Sequence, residues 1–381
     1  MNSVSALFES SQRIVIKIGS SLLIDSENSA RRAWLTALAE DIAKLRADGK
    51  QIVVVSSGAI ALGRQTLGWS GRRLDLDEKQ AAAACGQIRL CGEWASAFQV
   101  PEPALEPAQI LLTLDDSENR RRYLNARHTF EILLAQSNVI PVVNENDTVA
   151  TDEIRVGDND RLAARVAQMI SADLLVLLSD VEGLYTLDPS RSQDRPRLIA
   201  EVTQITSEIE AMAGGIGSSL GSGGMRTKIE AAKIAVAAGC HMLIANGTKS
   251  HPIKSLSNGS ECTWFKAKAN PTSARKHWIL GKLRAVGTFV VDDGAASALM
   301  KGKSLLPAGV GEVRGEFERG DAVRIETQAG HLIGKGLSEY SSVQAKQILG
   351  AHSNEIENIL GFKYRDTLIH RDNMVVEKSI D

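Results

Sequence analysis

The 381-residue chain has little of what would commit it to a membrane, a metal centre or a disulfide framework. No apolar run approaches the ~18 residues needed to span a bilayer. The first residues, MNSVSALFESSQR, have neither the basic start nor the apolar core of a secretory signal. The four cysteines (Cys85, Cys91, Cys240 and Cys262) are scattered, and none has CxxC spacing. The seven histidines form no His-x-x-x-His pair. A zinc site is therefore not expected, and the cysteine usage fits a reduced, cytoplasmic protein. Charge of one sign is missing too. The formal net charge is −2 and the isoelectric point is near 6.4, so no bulk field draws the chain to nucleic acid or anionic lipid.

What is present is a repeated unit: an apolar strand, a turn of small or acidic residues, then a helix. The chain is long enough for two or three domains with a sizeable core. Its organising stretch is VIPVVNENDTVATDEIRVGDND, residues 139–160. A short apolar run gives way to Asn144-Glu145-Asn146-Asp147, and a second cluster, Asp158-Asn159-Asp160, precedes a helical pattern. Turn and cap demand explains some Asn and Asp residues. It does not call for seven Asn, Asp and Glu residues in two clusters at a strand's carboxyl end, where ligands of parallel sheets bind.

The same unit recurs elsewhere. Arg13–Ile18 (RIVIKI) carries Lys17 inside an apolar strand and runs into Gly19-Ser20-Ser21. A lysine there either snorkels at an edge or meets a phosphate beside the Gly-Ser turn. Residues 51–55 form a second strand that ends in Ser56-Ser57-Gly58-Ala59, before a helix. Small residues at that turn either tighten it or admit a ligand to the helix N-terminus. A third strand is expected at 110–114, and helices at 81–98, 120–136 and 162–170. Residues 173–178 (DLLVLL) end in Ser179-Asp180, and residues 241–245 are expected to be the last strand of this unit. Repetition of this pattern argues a parallel sheet covered by helices, with a site along one edge.

Six glycines lie between Gly214 and Gly224 in GGIGSSLGSGGMRTK. The spacing matches neither the Gly-x-x-x-x-Gly-Lys-Ser/Thr loop nor the dinucleotide Gly-x-Gly-x-x-Gly pattern. As a flexible loop it would need no helix behind it. Here it leads directly into Thr227-Lys228 and a helix closed by Gly239, a sensible phosphate cradle. Beyond a polar linker at 266–276 the pattern changes to short β runs broken by glycines, read as a small β-rich pseudo-barrel domain over 278–376. Residues 276–381 hold 14 Lys and Arg against 14 Asp and Glu, which leaves no basic footprint for RNA.

Taken together, KIGSS at Lys17, VSSGA at Val55, NENDTV at Asn144, VGDND at Val156, LLSDVEGLY at Leu177 and GSGGMRTK at Gly221 resemble the amino-acid kinase family. Within that family the motifs resemble those of members that phosphorylate the side-chain carboxylate of glutamate, which implies the first step of proline biosynthesis. The resemblance covers essentially the whole chain. GTFVVDDGAASAL, SLLPAGV and GEFERGD, from Gly287 on, resemble the PUA domain attached to many such enzymes. One departure is Ser222, where the motif more usually has Thr; the hydroxyl is kept.

The resemblance implies an α/β fold, an αβα sandwich with a mostly parallel sheet, over a catalytic domain at 1–264. It implies that Lys17 and Lys228 hold the transferring phosphoryl group and that Asp160 orients them. Ser57, Asn144, Asp147 and Asn159 would bind L-glutamate. Lys17, Ser179, Asp180 and the run Ser222, Gly223, Gly224, Met225, Arg226, Thr227 and Lys228 would contact ATP. It further implies Mg²⁺ carried by the nucleotide, with no dedicated protein ligands, and a homo-oligomer (dimer or tetramer). Feedback inhibition by proline is common among family members. Two other readings remain open: the same fold acting on another acidic substrate, and an RNA-binding or RNA-modifying protein that uses the PUA domain.

Overall fold

The computed structural model describes residues 3–25, 30–150, 158–187, 196–213, 224–274 and 284–376. They form two compact units: 1–118 with 125–271, and 119–124 with 272–381.

The first unit runs α1 (Ser3–Ser10), β1 (Arg13–Ile18), α2 (Ser20–Leu23), α3 (Arg32–Ala47), β2 (Gln51–Ser56), α4 (Ala59–Thr66), α5 (Leu76–Phe98), β3 (Glu106–Leu112) and α6 (Leu114–Glu118). It continues through α7 (Arg120–Ala135), whose residues from 125 on belong to this unit, β4 (Val139–Glu145), α8 (Asp158–Ile170), β5 (Leu174–Ser179), β6 (Glu201–Val202), α9 (Ser207–Met212), α10 (Met225–Ala237), β7 (His241–Asn246), α11 (Pro252–Ser257) and β8 (Cys262–Phe265). The sheet order is β3-β4-β2-β1-β5-β7-β8-β6. The six strands from β3 to β7 are all parallel, β8 runs antiparallel to β7, and β6 pairs parallel with β8.

The central strands are apolar on both faces because helices cover both. On one face Ile14, Ile16, Ile18, Val54, Leu174, Val176 and Leu178 join a core with Leu35, Leu38 and Ile42 of α3 and Leu90, Trp94 and Phe98 of α5. The alternate residues, Val15, Lys17, Val53, Val55, Leu175 and Leu177, belong to the other face by strand alternation. That face is covered by α8, which packs on β1, and by α10, which packs on α8 and β7. Register puts Lys17 in one row with Val55, Val143, Leu177 and Ile244. It is the one charged residue in that row.

From β1 the chain builds outward to β2, β4 and β3 on one side, and later to β5 and β7 on the other. The order therefore reverses at the β1/β5 boundary, where open α/β sheets leave a crevice at their carboxyl ends. Residues 241–245 are not the last strand of this sheet. The strand extends to Asn246 and is followed by β8, with β6 beyond it. The third strand occupies Glu106–Leu112, not 110–114. As the sheet's edge strand it tolerates Glu106, Pro107 and Gln109, which hide it from an apolar pattern.

The second unit has β9 (Gly287–Val291), α12 (Asp293–Met300), β10 (Val310–Gly315), β11 (Ala322–Thr327), β12 (Leu332–Leu337), α13 (Ser342–Gln347), α14 (Ile356–Leu360) and β13 (Met374–Val376). Its five strands are ordered β10-β9-β11-β12-β13, and all pair antiparallel except β9 with β11. Phe289, Val323, Ile325, Tyr340, Ile348 and Leu368 form its own core. Leu305 makes only a single bridge, to Ile369, and is followed by a 3₁₀ turn at Pro307–Gly309.

Candidate active site

The carboxyl edge of the parallel strands collects polar side chains that the sequence scatters over more than two hundred residues. Asp160, in the first turn of α8, forms ion pairs with Lys17 Nζ at 2.5 Å through Oδ1 and with Lys228 Nζ at 3.2 Å through Oδ2. Thr227 Oγ1 donates to the same Oδ2 at 2.9 Å. All three charged residues are buried: Lys17 is 6% exposed, Asp160 1% and Lys228 8%. Burial lowers the Lys17 pKa from its ordinary value; the like charge of Lys228 adds to this, and Asp160 opposes it. Burial works to raise Asp160, yet the ammonium groups of Lys17 and Lys228 overcome it and hold the carboxyl below its usual range. Two cations against one anion leave the cluster with a residual positive charge at the N-terminus of α10, the side of the helix dipole that favours an anion.

A second group of side chains stands beside the first. Asn159 Nδ2 donates to Ser57 Oγ at 2.8 Å and to Asn144 Oδ1 at 3.0 Å. Three strand-to-helix segments meet in these two bonds: the end of β4, the turn after β2 and the start of α8. The turn after β2 needs glycine, since Gly58 has φ of +112° and a Cβ there would stand 3.0 Å from Leu23 Cδ2. Asp147 is buried in the loop that leaves β4. Asn159 spends both amide hydrogens on these bonds, its Oδ1 meets no donor among the described residues, and Ser57 accepts here and keeps its own hydroxyl hydrogen.

At the end of β5, Ser179 is buried and its Oγ donates to Asp180 Oδ1 at 3.0 Å; Asp180 is exposed. Gly224 caps α10, and its carbonyl accepts from Thr227 Oγ1 at 3.1 Å and from Lys228 Nζ at 3.4 Å. Met225 is half-buried and Arg226 is exposed; neither takes part in the ion-pair cluster. Ser222 and Gly223 lie outside the described residues. Asn246 and Glu182 were missed by sequence reasoning. Asn246 Nδ2 donates to Glu182 Oε1 at 3.1 Å, so the same edge continues past β5. The signal was available: β7 is one more strand that ends in a polar residue.

The amino acid kinase family model matches residues 12–246 and the PUA domain model matches residues 287–360. Glutamate 5-kinase of Paramagnetospirillum magneticum is 57% identical over 367 residues, which is 96% of this chain and 98% of that protein. Those of Rhodopseudomonas palustris strain HaA2 and Agrobacterium fabrum are 55% and 54% identical, each over 96% of this chain and over 96% and 93% of theirs. The chain belongs to the glutamate 5-kinase family. It is an ATP-dependent kinase with an appended PUA domain. In this family member the Lys17–Asp160–Lys228 cluster and the Ser57–Asn159–Asn144 group adjoin through consecutive residues of α8, Asn159 and Asp160. Among the described residues no helix is long and apolar enough to cross a membrane.

Proposed function

We propose that the chain transfers the γ-phosphoryl group of ATP to the side-chain carboxylate of L-glutamate, giving L-glutamyl 5-phosphate and ADP. The observation that carries this reading is the buried pair of lysines on one aspartate at the sheet's switch point. A carboxylate acceptor with pKa near ~4.3 is ionised at neutral pH, so no general base is needed. The obstacle is repulsion between two anions, and catalysis is mainly positioning and charge neutralisation. Lys17 and Lys228 supply the charge, and Asp160 keeps both ammonium groups on the transferring phosphoryl. Ser179, Asp180 and the segment Ser222 to Lys228 receive the nucleotide.

Ser57, Asn144, Asp147 and Asn159 receive glutamate. Asp147 pairs its ammonium, and the acceptor oxygen of Asn159 suits the same group. The Ser57 hydroxyl and backbone N–H groups are left for the α-carboxylate. No group of three or more His, Cys, Asp or Glu able to hold a metal lies among the described residues. Mg²⁺ would arrive on the ATP phosphates and neutralise part of their charge. The enzyme would work as a homo-oligomer, with proline as an inhibitor acting near the glutamate site.

The test is ADP release by the purified chain with glutamate, aspartate, carbamate and UMP, each with and without proline. Turnover with glutamate well above the other three is expected. Preference for carbamate or UMP would replace the substrate and keep the fold. No ATP consumption, together with tRNA binding in a gel shift, would favour the RNA reading.

A further inference from the structure

Two glutamines on α5 face the glutamate side of the site, and neither is among the site residues discussed so far. Gln80 Nε2 donates to the carbonyl oxygen of Ala150 at 3.0 Å. Gln87 Nε2 donates to the carbonyl oxygen of Glu145 at 3.4 Å, and its own Oε1 accepts from Gln109 Nε2 at 3.4 Å. Residues seven apart lie two turns along one helix face, roughly 10 Å from each other. The two amides therefore clasp the segment 145–150 at both ends, with Asp147 between them.

The same stretch of α5 is also locked to the other half of the site. A Cβ at Gly86 would lie 1.7 Å from the carbonyl oxygen of Ala59, and one at Gly63 would lie 1.7 Å from that of Ala82. The backbones of α4 and α5 are thus in direct contact at these glycines. Ala59 is the first residue of α4, two places after Ser57. One helix therefore sets where Ser57 stands and where Asp147 stands.

We infer that α5 is the positioning element of the amino-acid subsite, and that Gln80 and Gln87 are positioning residues that fix the 145–150 segment for substrate binding. The inference rests on the glutamate reading above. Neither glutamine lies in the ion-pair cluster, so their loss should loosen amino-acid recognition and leave the phosphoryl-holding lysines in place.

The experiment compares Gln80→Met and Gln87→Met, which keep side-chain length and remove the donor, with Gln80→Lys, which keeps a donor. KM for glutamate should rise roughly fivefold or more in each Met variant, the value of one hydrogen bond, and more in the double variant. KM for ATP and kcat should change by less than about twofold, and Gln80→Lys should stay near wild type. A purely structural role would instead lower Tm and leave both KM values unchanged or moving together, and that result would overturn the inference. Gln80 is only half-buried, so its variant remains informative if Gln87→Met folds poorly. Wild-type protein that turns over no glutamate would defeat the functional reading itself, which is visible before any variant is made.

Discussion

A buried lysine is expensive unless something answers its charge, and here one carboxylate answers two. Asp160 makes the cost of burying Lys17 and Lys228 tolerable; the phosphoryl group would complete the balance. Two predictions belong at this scale. Replacing Lys228 by Ala removes one charge-stabilising donor, which typically costs on the order of 3–4 kcal/mol of transition-state stabilisation. Steady-state kinetics on Lys228→Ala should thus show kcat down at least roughly a hundredfold, with an unchanged circular dichroism spectrum. Near-normal turnover would remove the residue from the mechanism. The second concerns pH. Lys17 titrates below its ordinary 10.5, mainly through burial. The useful form is protonated, so the charge is present at neutral pH and is lost as pH rises through that lowered value. kcat/KM for ATP, which reports the free enzyme, should therefore fall on the alkaline side before pH ~10.4, where an ordinary lysine titrates. A profile flat through that point would contradict it. Asp160 adds no acid limb near neutrality, because its pKa is displaced downward.

At the scale of elements, strand ends were legible and helix starts less so. Lys17, Ser57, Asn144 and Ser179 could be placed because each follows or closes an apolar run, and runs of that kind become buried parallel strands. The alanine run predicts helix α5 from residue 81, but it starts at Leu76. Its start signal was in the sequence: Asp75 caps the helix and Glu78 returns the bond, a capping box. What no sequence pattern disclosed was the glycine contact between α4 and α5, since a close backbone approach leaves only an ordinary-looking glycine. That contact gives the third prediction. Gly86→Ala would place a methyl 1.7 Å from the Ala59 carbonyl oxygen, which the helices must part to admit. Overpacking of this kind costs about 1–3 kcal/mol. Thermal melts should show a Tm lower by several degrees. The Ser57 turn should shift with α4, so KM for glutamate should rise as well; a variant with wild-type Tm and KM would deny the contact any role.

For the whole molecule the decisive fact is how dispersed the site is. The residues proposed for it come from 17, 57, 144–147, 159–160, 179–180 and 224–228; of these, the Lys17–Asp160–Lys228 and Ser57–Asn159–Asn144 groups are joined by contacts that need strands from across the eight-stranded sheet. Segments 151–157 and 214–223, which carry Ser222 and Gly223, fall outside the described residues, and sequence alone speaks for them. The proposed division of labour between lysines and amides came from the resemblance and not from the residue pattern, because the pattern does not say which strand face each side chain occupies after folding. An unfolded chain cannot assemble such a site, so substrates must bind the native state alone. A non-hydrolysable ATP analogue with glutamate, each at about a hundredfold excess over Kd, should then add roughly 2.7 kcal/mol per site to the stability of the folded chain. For a unit of this size that corresponds to a Tm rise of roughly 5–10 °C. The protein carries net charge −2, so the attraction is local to the site, not a property of its overall field. Accordingly tRNA should give no comparable shift at low or moderate salt. A tRNA-induced rise that collapses between ~50 and 200 mM salt would instead mark phosphate-backbone binding, and would make nucleic acid a ligand of this chain.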